Sequence, residues 1–152
     1  MPKINAKQII RNAEKTHGVY VMGASGPSTW DCSGFVAHCV GIFPRGDFFT
    51  GNELEKLLAL PGFKNISHIV KARNWSALKP GDILIWNKDG TTGEGANGHT
   101  AIVYKKDGTL IEATSSAPGK LVPYRGRKVS AIPWQKAARP PGGISLIKWV
   151  GE

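Results

Sequence analysis

The run Trp30-Asp31-Cys32-Ser33-Gly34-Phe35-Val36-Ala37-His38-Cys39 constrains this chain more than any other stretch. Ahead of it, Gly23-Ala24-Ser25-Gly26-Pro27-Ser28-Thr29 is dense in turn formers; behind it, Phe35, Val36, Cys39 and Val40 recur at helical spacing. The pattern predicts a loop, a cap and then a helix with Cys32 in its first turn. Asp31 is the expected N-cap, because its carboxylate can accept a hydrogen bond from an amide that the first turn leaves free. A thiol placed there sits among unpaired N–H groups at the positive end of the helix dipole, a setting that favours the nucleophilic thiolate. A small residue buried at a helix start gives the same pattern. Taken alone, the stretch leaves nucleophile and packed thiol both open.

A chain of 152 residues fits one domain with a core of its own. Cys32 and Cys39 are the only cysteines, and seven positions on one helix separate them by roughly 10 Å of rise, beyond disulfide reach. Two free thiols are expected, with Cys39 in the core. The start, Met1-Pro2-Lys3-Ile4-Asn5, lacks the apolar centre of a signal peptide, and no run approaches a membrane span. Synthesis in the cytoplasm, with any export by another route, is the expectation. The net charge of +9 calls for an anionic partner such as nucleic acid, membrane phosphate or cell wall. Its Lys and Arg residues are scattered, with small clusters at Lys105-Lys106 and Arg125-Gly126-Arg127-Lys128. No zinc-finger spacing, phosphate loop or aromatic RNA motif accompanies them, which favours a solvated basic surface over specific nucleic-acid binding. No ligand spacing suggests a metal, and no cofactor is expected.

In chain order, Asn5 to Thr16 reads as a helix with Ala6, Ile9, Ile10 and Ala13 on one face and Asn5 as a cap. Val19-Tyr20-Val21-Met22 is a short apolar run. The helix after Asp31 should end near Gly41, and Asn52 to Leu60 forms another, stopped by Pro61-Gly62. From there the period changes to that of strands. Ser67-His68-Ile69-Val70 is expected as a short strand. Pro80-Gly81-Asp82 turns into Ile83-Leu84-Ile85-Trp86, a strand apolar on both faces, and the glycine-rich Asp89 to Gly98 loop leads to His99 and the strand Thr100 to Tyr104. Asp107-Gly108 marks a turn, Thr109 to Thr114 the returning strand, and Ile144 to Val150 a final strand. Helices first and an antiparallel meander second predict a single α+β domain over residues 1–152.

Of the four histidines, His17, His38 and His68 have no setting that suggests chemistry. His99 differs, because it stands where a loop enters a strand, with access to solvent. A histidine able to approach a cysteine at a helix start is the pair that nucleophilic thiol catalysis needs. A third group should orient the imidazole, and Glu112, Thr114 and Ser115 are near enough on the returning strand. A four-residue turn places Ala101 opposite Glu112, with Glu112 diagonal to His99 and on its face. A two-residue turn slides Glu112 opposite Val103, too far away. The register is not set by the sequence, and a solvent-facing Glu112 remains open; a carboxylate amid apolar strand residues nevertheless wants a partner.

Four segments in order, Tyr20 to Gly23 with Asp31-Cys32-Ser33-Gly34-Phe35-Val36, Leu78 to Leu84, Gly98-His99-Thr100-Ala101-Ile102-Val103 and Leu110 to Ser115, resemble the NlpC/p60 family of bacterial and phage cell-wall cysteine peptidases, related to CHAP amidases. The resemblance covers roughly residues 19–115. It implies a papain-like fold in which N-terminal helices, with the nucleophile at a helix N-terminus, pack on an antiparallel sheet. It implies Cys32 as nucleophile, His99 as base and Glu112 in the orienting slot, which is often a second histidine in the family. Tyr20 matches the tyrosine at the rim of the site, and Asp31 and Ser33 match the residues flanking the nucleophile near the substrate's free amine. The implied activity is hydrolysis of the peptidoglycan stem peptide, most often between D-γ-glutamate and the following diamino acid. An amidase cutting between N-acetylmuramic acid and L-alanine, an acyltransferase and a non-catalytic basic binding module are the rivals. Without a signal peptide or a wall-binding module, a phage lysin, a particle hydrolase or a secreted effector is implied. Such a protein acts in the periplasm or at the wall after delivery by a holin, a phage particle or a secretion system. A monomer is expected and, for an effector, a cognate immunity protein.

Overall fold

The computed structural model describes residues 4–87 and 98–142 of the chain. Its first helix, α1 (Ala6–Lys15), opens on a capping box: the Asn5 side chain accepts from the Gln8 backbone N–H, and the Gln8 side chain accepts from the Asn5 N–H. The face carrying Ala6, Ile9 and Ala13 is buried, as the spacing predicts. Two short strands follow, β1 (Gly18–Tyr20) and β2 (Thr29–Trp30), paired in parallel. Directly after β2 comes α2 (Cys32–Cys39), with Asp31 as its cap. Cys32, Ser33, Gly34, Phe35, Val36, Ala37 and Cys39 are all buried, so this helix has protein on every side. It packs between α1 and the main sheet.

The main sheet is antiparallel. It comprises β3 (Lys64–Asn65), β4 (Ile83–Asn87), β5 (Gly98–Val103), β6 (Leu110–Ile111) and β8 (Lys136–Arg139), in the spatial order β3-β8-β4-β5-β6. The intervening strand β7 (Leu121–Val122) joins β1 and β2 instead, on the far side of β1. Two short helices precede β4: α3 (Glu53–Leu58), packed against β8 and β3, and α4 (Ser67–Lys71), packed against β8. The architecture is the α+β class read from the pattern of elements.

Both faces of the sheet are covered, which is why β4 reads as an unbroken apolar run. Ile83, Ile85, Ile102 and Ile111 meet Ile9, Phe35 and Val36 of the helices on one face. Leu84, Ala101, Val103, Leu110 and Ala137 form a second cluster on the other, with Ile69, Val70, Val129 and Trp134.

Three expectations change. Ser67 to Val70 is helix, not strand; a four-residue apolar run carries too little periodicity to separate the two, and adjacent Ile69 and Val70 are both buried at the helix–sheet contact. The sheet is not a simple meander, because β8 inserts beside β4. Its Lys-Ala-Ala-Arg sequence carries none of the β-branched residues that mark a strand, yet Ala137 and Ala138 are wholly buried on opposite faces. The returning strand is shorter than expected: after Ile111 the chain leaves β5, and Glu112 exchanges backbone hydrogen bonds with Tyr124 instead. The final strand at Ile144 to Val150, and all of the glycine-rich loop except Gly98, lie outside the described residues.

Candidate active site

Asp31 ties the nucleophile segment together. Its Oδ1 accepts from the Gly34 N–H at 2.7 Å, which caps α2, and its Oδ2 accepts from the Gly23 N–H at 3.1 Å. The Arg45 guanidinium pairs with the same carboxylate, donates to Ser33 Oγ at 3.1 Å and to the Gly23 carbonyl at 2.8 Å, and lies over the Phe49 ring at 4.3 Å. Gly34 has to be glycine, because a Cβ there would stand 2.5 Å from the Ala24 carbonyl oxygen. The order Asp-Cys-Ser-Gly is thus a cap, a nucleophile position, a hydroxyl for Arg45 and a gap for the incoming loop.

Cys32 is 6 % exposed at the first position of α2. Burial pushes its thiol up to about 12, Asp31 and Glu53 push the same way, and hydrogen bonds from the backbone of Thr100 and Ser33 only partly oppose them. Burial thus works against the thiolate that the helix start favours. Cys39 lies in the core as a free thiol.

The contact with Thr100 brings the start of β5 to the sulfur. His99 directly precedes Thr100 at the start of β5, and its Nε2 lies 2.6 Å from Glu112 Oε1. The register is that of the four-residue turn: Ile102 faces Ile111, Val103 faces Leu110, and the Tyr104 N–H donates to the Thr109 carbonyl at 2.7 Å. That register sets Glu112 diagonal to His99, and the solvent-facing alternative is excluded, since Glu112 is wholly buried. Arg127 completes the cluster. It donates from Nε to Glu112 Oε2 at 2.8 Å and from Nη2 to Oε1 at 2.7 Å, and its Nη2 lies 3.0 Å from His99 Nε2. Burial would raise the Glu112 carboxyl, but Arg127 and His99 together more than offset it and hold it below its usual value. The Trp134 ring flanks the imidazole at 5.8 Å and is fixed by its Nε1–H bond to the Val129 carbonyl.

Tyr20 and His99 line one cavity of about 410 Å³, together with Trp86, Thr114, Arg127 and Ile132. Burial first, and then the neighbouring Cys32, raise the Tyr20 phenol to about 12. Tyr20 thus lines the same cavity as His99. Asp31 and Ser33 are buried beneath that surface, with Arg45 between them and Gly23.

Arg45 and Arg127 were not singled out from the sequence. Neither has a local motif, since each meets its carboxylate across more than ten residues of chain. Arg127 had counted towards a basic cluster, but that cluster dissolves on folding. Arg127 turns in to Glu112, Lys128 pairs with Asp107 at 3.0 Å, and Arg125 lies over the Tyr104 ring at 5.2 Å.

The α+β fold thus sets a buried thiol at a helix N-terminus against a strand that carries a carboxylate-bound histidine. Two solved structures share that fold: NlpC1 from Trichomonas vaginalis, at TM-score 0.58 and 21% identity over 92% of this chain, and NlpC2 from the same organism, at 0.55 and 21% over 92%. This chain spans less than half of either, 45% and 48% of their lengths. Comparison with curated proteins gave no match. Residues 5–121 match the family described as bacteriophage peptidoglycan hydrolase, and the chain belongs to that family.

Proposed function

We propose that this chain hydrolyses peptidoglycan as a cysteine endopeptidase of the stem peptide, at the bond between D-γ-glutamate and the following diamino acid. Family membership supports the substrate, and the 2.6 Å contact between His99 and Glu112 carries the mechanism. A buried carboxylate on one imidazole nitrogen fixes the tautomer and leaves the other nitrogen for a thiol.

Burial disfavours a free thiolate, so the proton leaves Cys32 as attack begins. His99 takes it while the sulfur adds to the scissile carbonyl carbon. Glu112 supports the imidazolium that forms, and the backbone N–H of Cys32, at the helix start, is placed to donate to the oxyanion. Collapse expels the amine, to which His99 returns the proton, and leaves a thioester on Cys32. Water, deprotonated by His99, then releases the acid and restores the thiol. Tyr20 borders the groove, and Asp31 and Ser33 are proposed to flank the substrate's free amine, as the family resemblance implies. The positive charge retains the enzyme on a polyanionic wall.

The test is digestion of defined muropeptides by wild type and Cys32→Ala, with the products weighed by mass spectrometry. Cleavage after D-γ-glutamate by wild type alone is expected. Cleavage between N-acetylmuramic acid and L-alanine reassigns the bond, and identical digestion by Cys32→Ala removes the thiol mechanism.

A further inference from the structure

The Thr100 hydroxyl makes two contacts that one proton cannot serve. Its Oγ1 lies 2.7 Å from Glu53 Oε2 and 2.9 Å from the Leu84 carbonyl oxygen. A carbonyl only accepts, and a hydroxyl has a single proton to give. If Thr100 donates to Leu84, the contact with Glu53 is a hydrogen bond only when Glu53 is the donor. An ionised Glu53 would instead set a charged lone pair against the hydroxyl oxygen, or strip the Leu84 carbonyl of its partner from this side chain.

The surroundings agree. Glu53 is wholly buried at the first position of α3, and its Oε1 has no partner. Among the described residues no cation forms an ion pair with it. Burial pushes the carboxyl up to about 8, the Thr100 bond opposes this, and Asp31 adds to it. The groups that act on it from α2 and its cap are Cys32 and Asp31, neither of which favours a carboxylate. β8 and β3 also pack on α3, but Arg139 is engaged with Asp82, Lys64 is exposed, and Lys136 lines an outer cavity with Lys71 and Arg73.

We propose that Glu53 is a positioning residue of the hydrolytic site, a neutral carboxylic acid that donates its proton to Thr100 and so anchors the start of β5 beside Cys32. The proposal rests on reading Cys32 as the nucleophile. The relay runs from Glu53 Oε2–H to Thr100 Oγ1–H to the Leu84 carbonyl, and it joins α3, β5 and β4 beneath the sulfur. Its neutrality matters as much as its geometry. A carboxylate at this place would add a second negative charge, after Asp31, to the surroundings of a sulfur that must become a thiolate in the reaction. Ionisation of Glu53 above neutrality therefore both breaks the relay and disfavours the nucleophile.

The test needs no substrate in its first part. Carbon-13 NMR of the wild-type glutamate carboxyls is expected to show one titrating at about 8, above all the others. That resonance should be missing in Glu53→Gln, whose amide can still donate to Thr100. In the second part, Glu53→Gln is expected to cleave muropeptides within a few-fold of wild type at neutral pH and to keep its rate further into alkali, while Glu53→Leu loses most of the rate. A full set of ordinary glutamate titrations overturns the proposal. So does a Glu53→Gln enzyme that keeps its circular dichroism but loses activity at neutral pH. Should wild type cut no muropeptide, the hydrolase reading fails while the NMR still decides the state of Glu53.

Discussion

Arg127 and His99 share one oxygen of Glu112, at 2.7 and 2.6 Å respectively. The carboxylate is thus divided between a permanent cation and the imidazole it orients, so its charge does not act on His99 alone. The two-pronged contact from Arg127 fixes the carboxylate in the place where the imidazole meets it.

Removing that cation should be visible in the rate. In Arg127→Met the buried Glu112 carboxylate loses its two-pronged partner, and kcat is expected to fall. Arg127→Lys, which keeps the charge but cannot make the two-pronged contact, should fall between wild type and Met. An unchanged kcat in Arg127→Met would mean that Arg127 does no more than hold the loop.

Glu112→Gln takes away both the anion and one partner of a buried pair. Loss of roughly two to four orders of magnitude in kcat is expected, as for other orienting carboxylates. Glu112 is held below its usual value, so its contribution to stability is present above the unfolded-state carboxyl value and is lost as pH falls through the lower, folded one. Acid denaturation of wild type should accordingly be steeper than that of Glu112→Gln, measured as unfolding midpoints across a pH series.

The resting state of Cys32 can be read directly. Thiolate absorbance in the near ultraviolet should stay flat through neutrality and rise only in strong alkali, since burial pushes this thiol to about 12. A step near neutral pH that disappears in Cys32→Ala would establish a preformed thiolate–imidazolium pair instead.

Gly34→Ala should destabilise the fold, although alanine is the better helix former by about 1 kcal/mol. The added methyl would sit 2.5 Å from the Ala24 carbonyl oxygen. A net loss of about 1–3 kcal/mol in denaturant titration is expected from such overpacking. A gain in stability would mean that the loop before Trp30 can yield.

Arg45→Leu leaves the Asp31 carboxylate buried without its cation. A loss of about 3–5 kcal/mol is expected, measured by the same titration. Activity should fall beyond what partial unfolding explains, because Asp31 also caps the helix that carries Cys32.

Elements with local rules were legible in the sequence. Asn5 and Asp31 announce their helices by capping chemistry that operates within three residues, and the structure keeps both. The pairing of His99 with Glu112 was legible up to a choice of turn. The four-residue turn is the one found, with Val103 facing Leu110 and the Tyr104 N–H bonded to the Thr109 carbonyl. What escaped was non-local or electrostatic. The strand at Ala137 and Ala138 is made by burial on both faces rather than by propensity, and the two arginines find their carboxylates only through the fold. The upward push of burial on the Cys32 thiol and the Glu53 carboxyl depends on neighbours that no spacing reveals.

The turn between β5 and β6 stands well away from the sulfur, yet it works as a ruler for the site. Side chains alternate along each strand, so a turn re-formed one residue shorter would present Ala113, not Glu112, to the face that holds His99. The imidazole would lose its carboxylate, and Arg127 would face an empty place. Variation in the length of Lys105-Lys106-Asp107-Gly108 therefore tunes catalysis from a distance, and a screen for inactive but folded variants should find its mutations there as well as around Cys32.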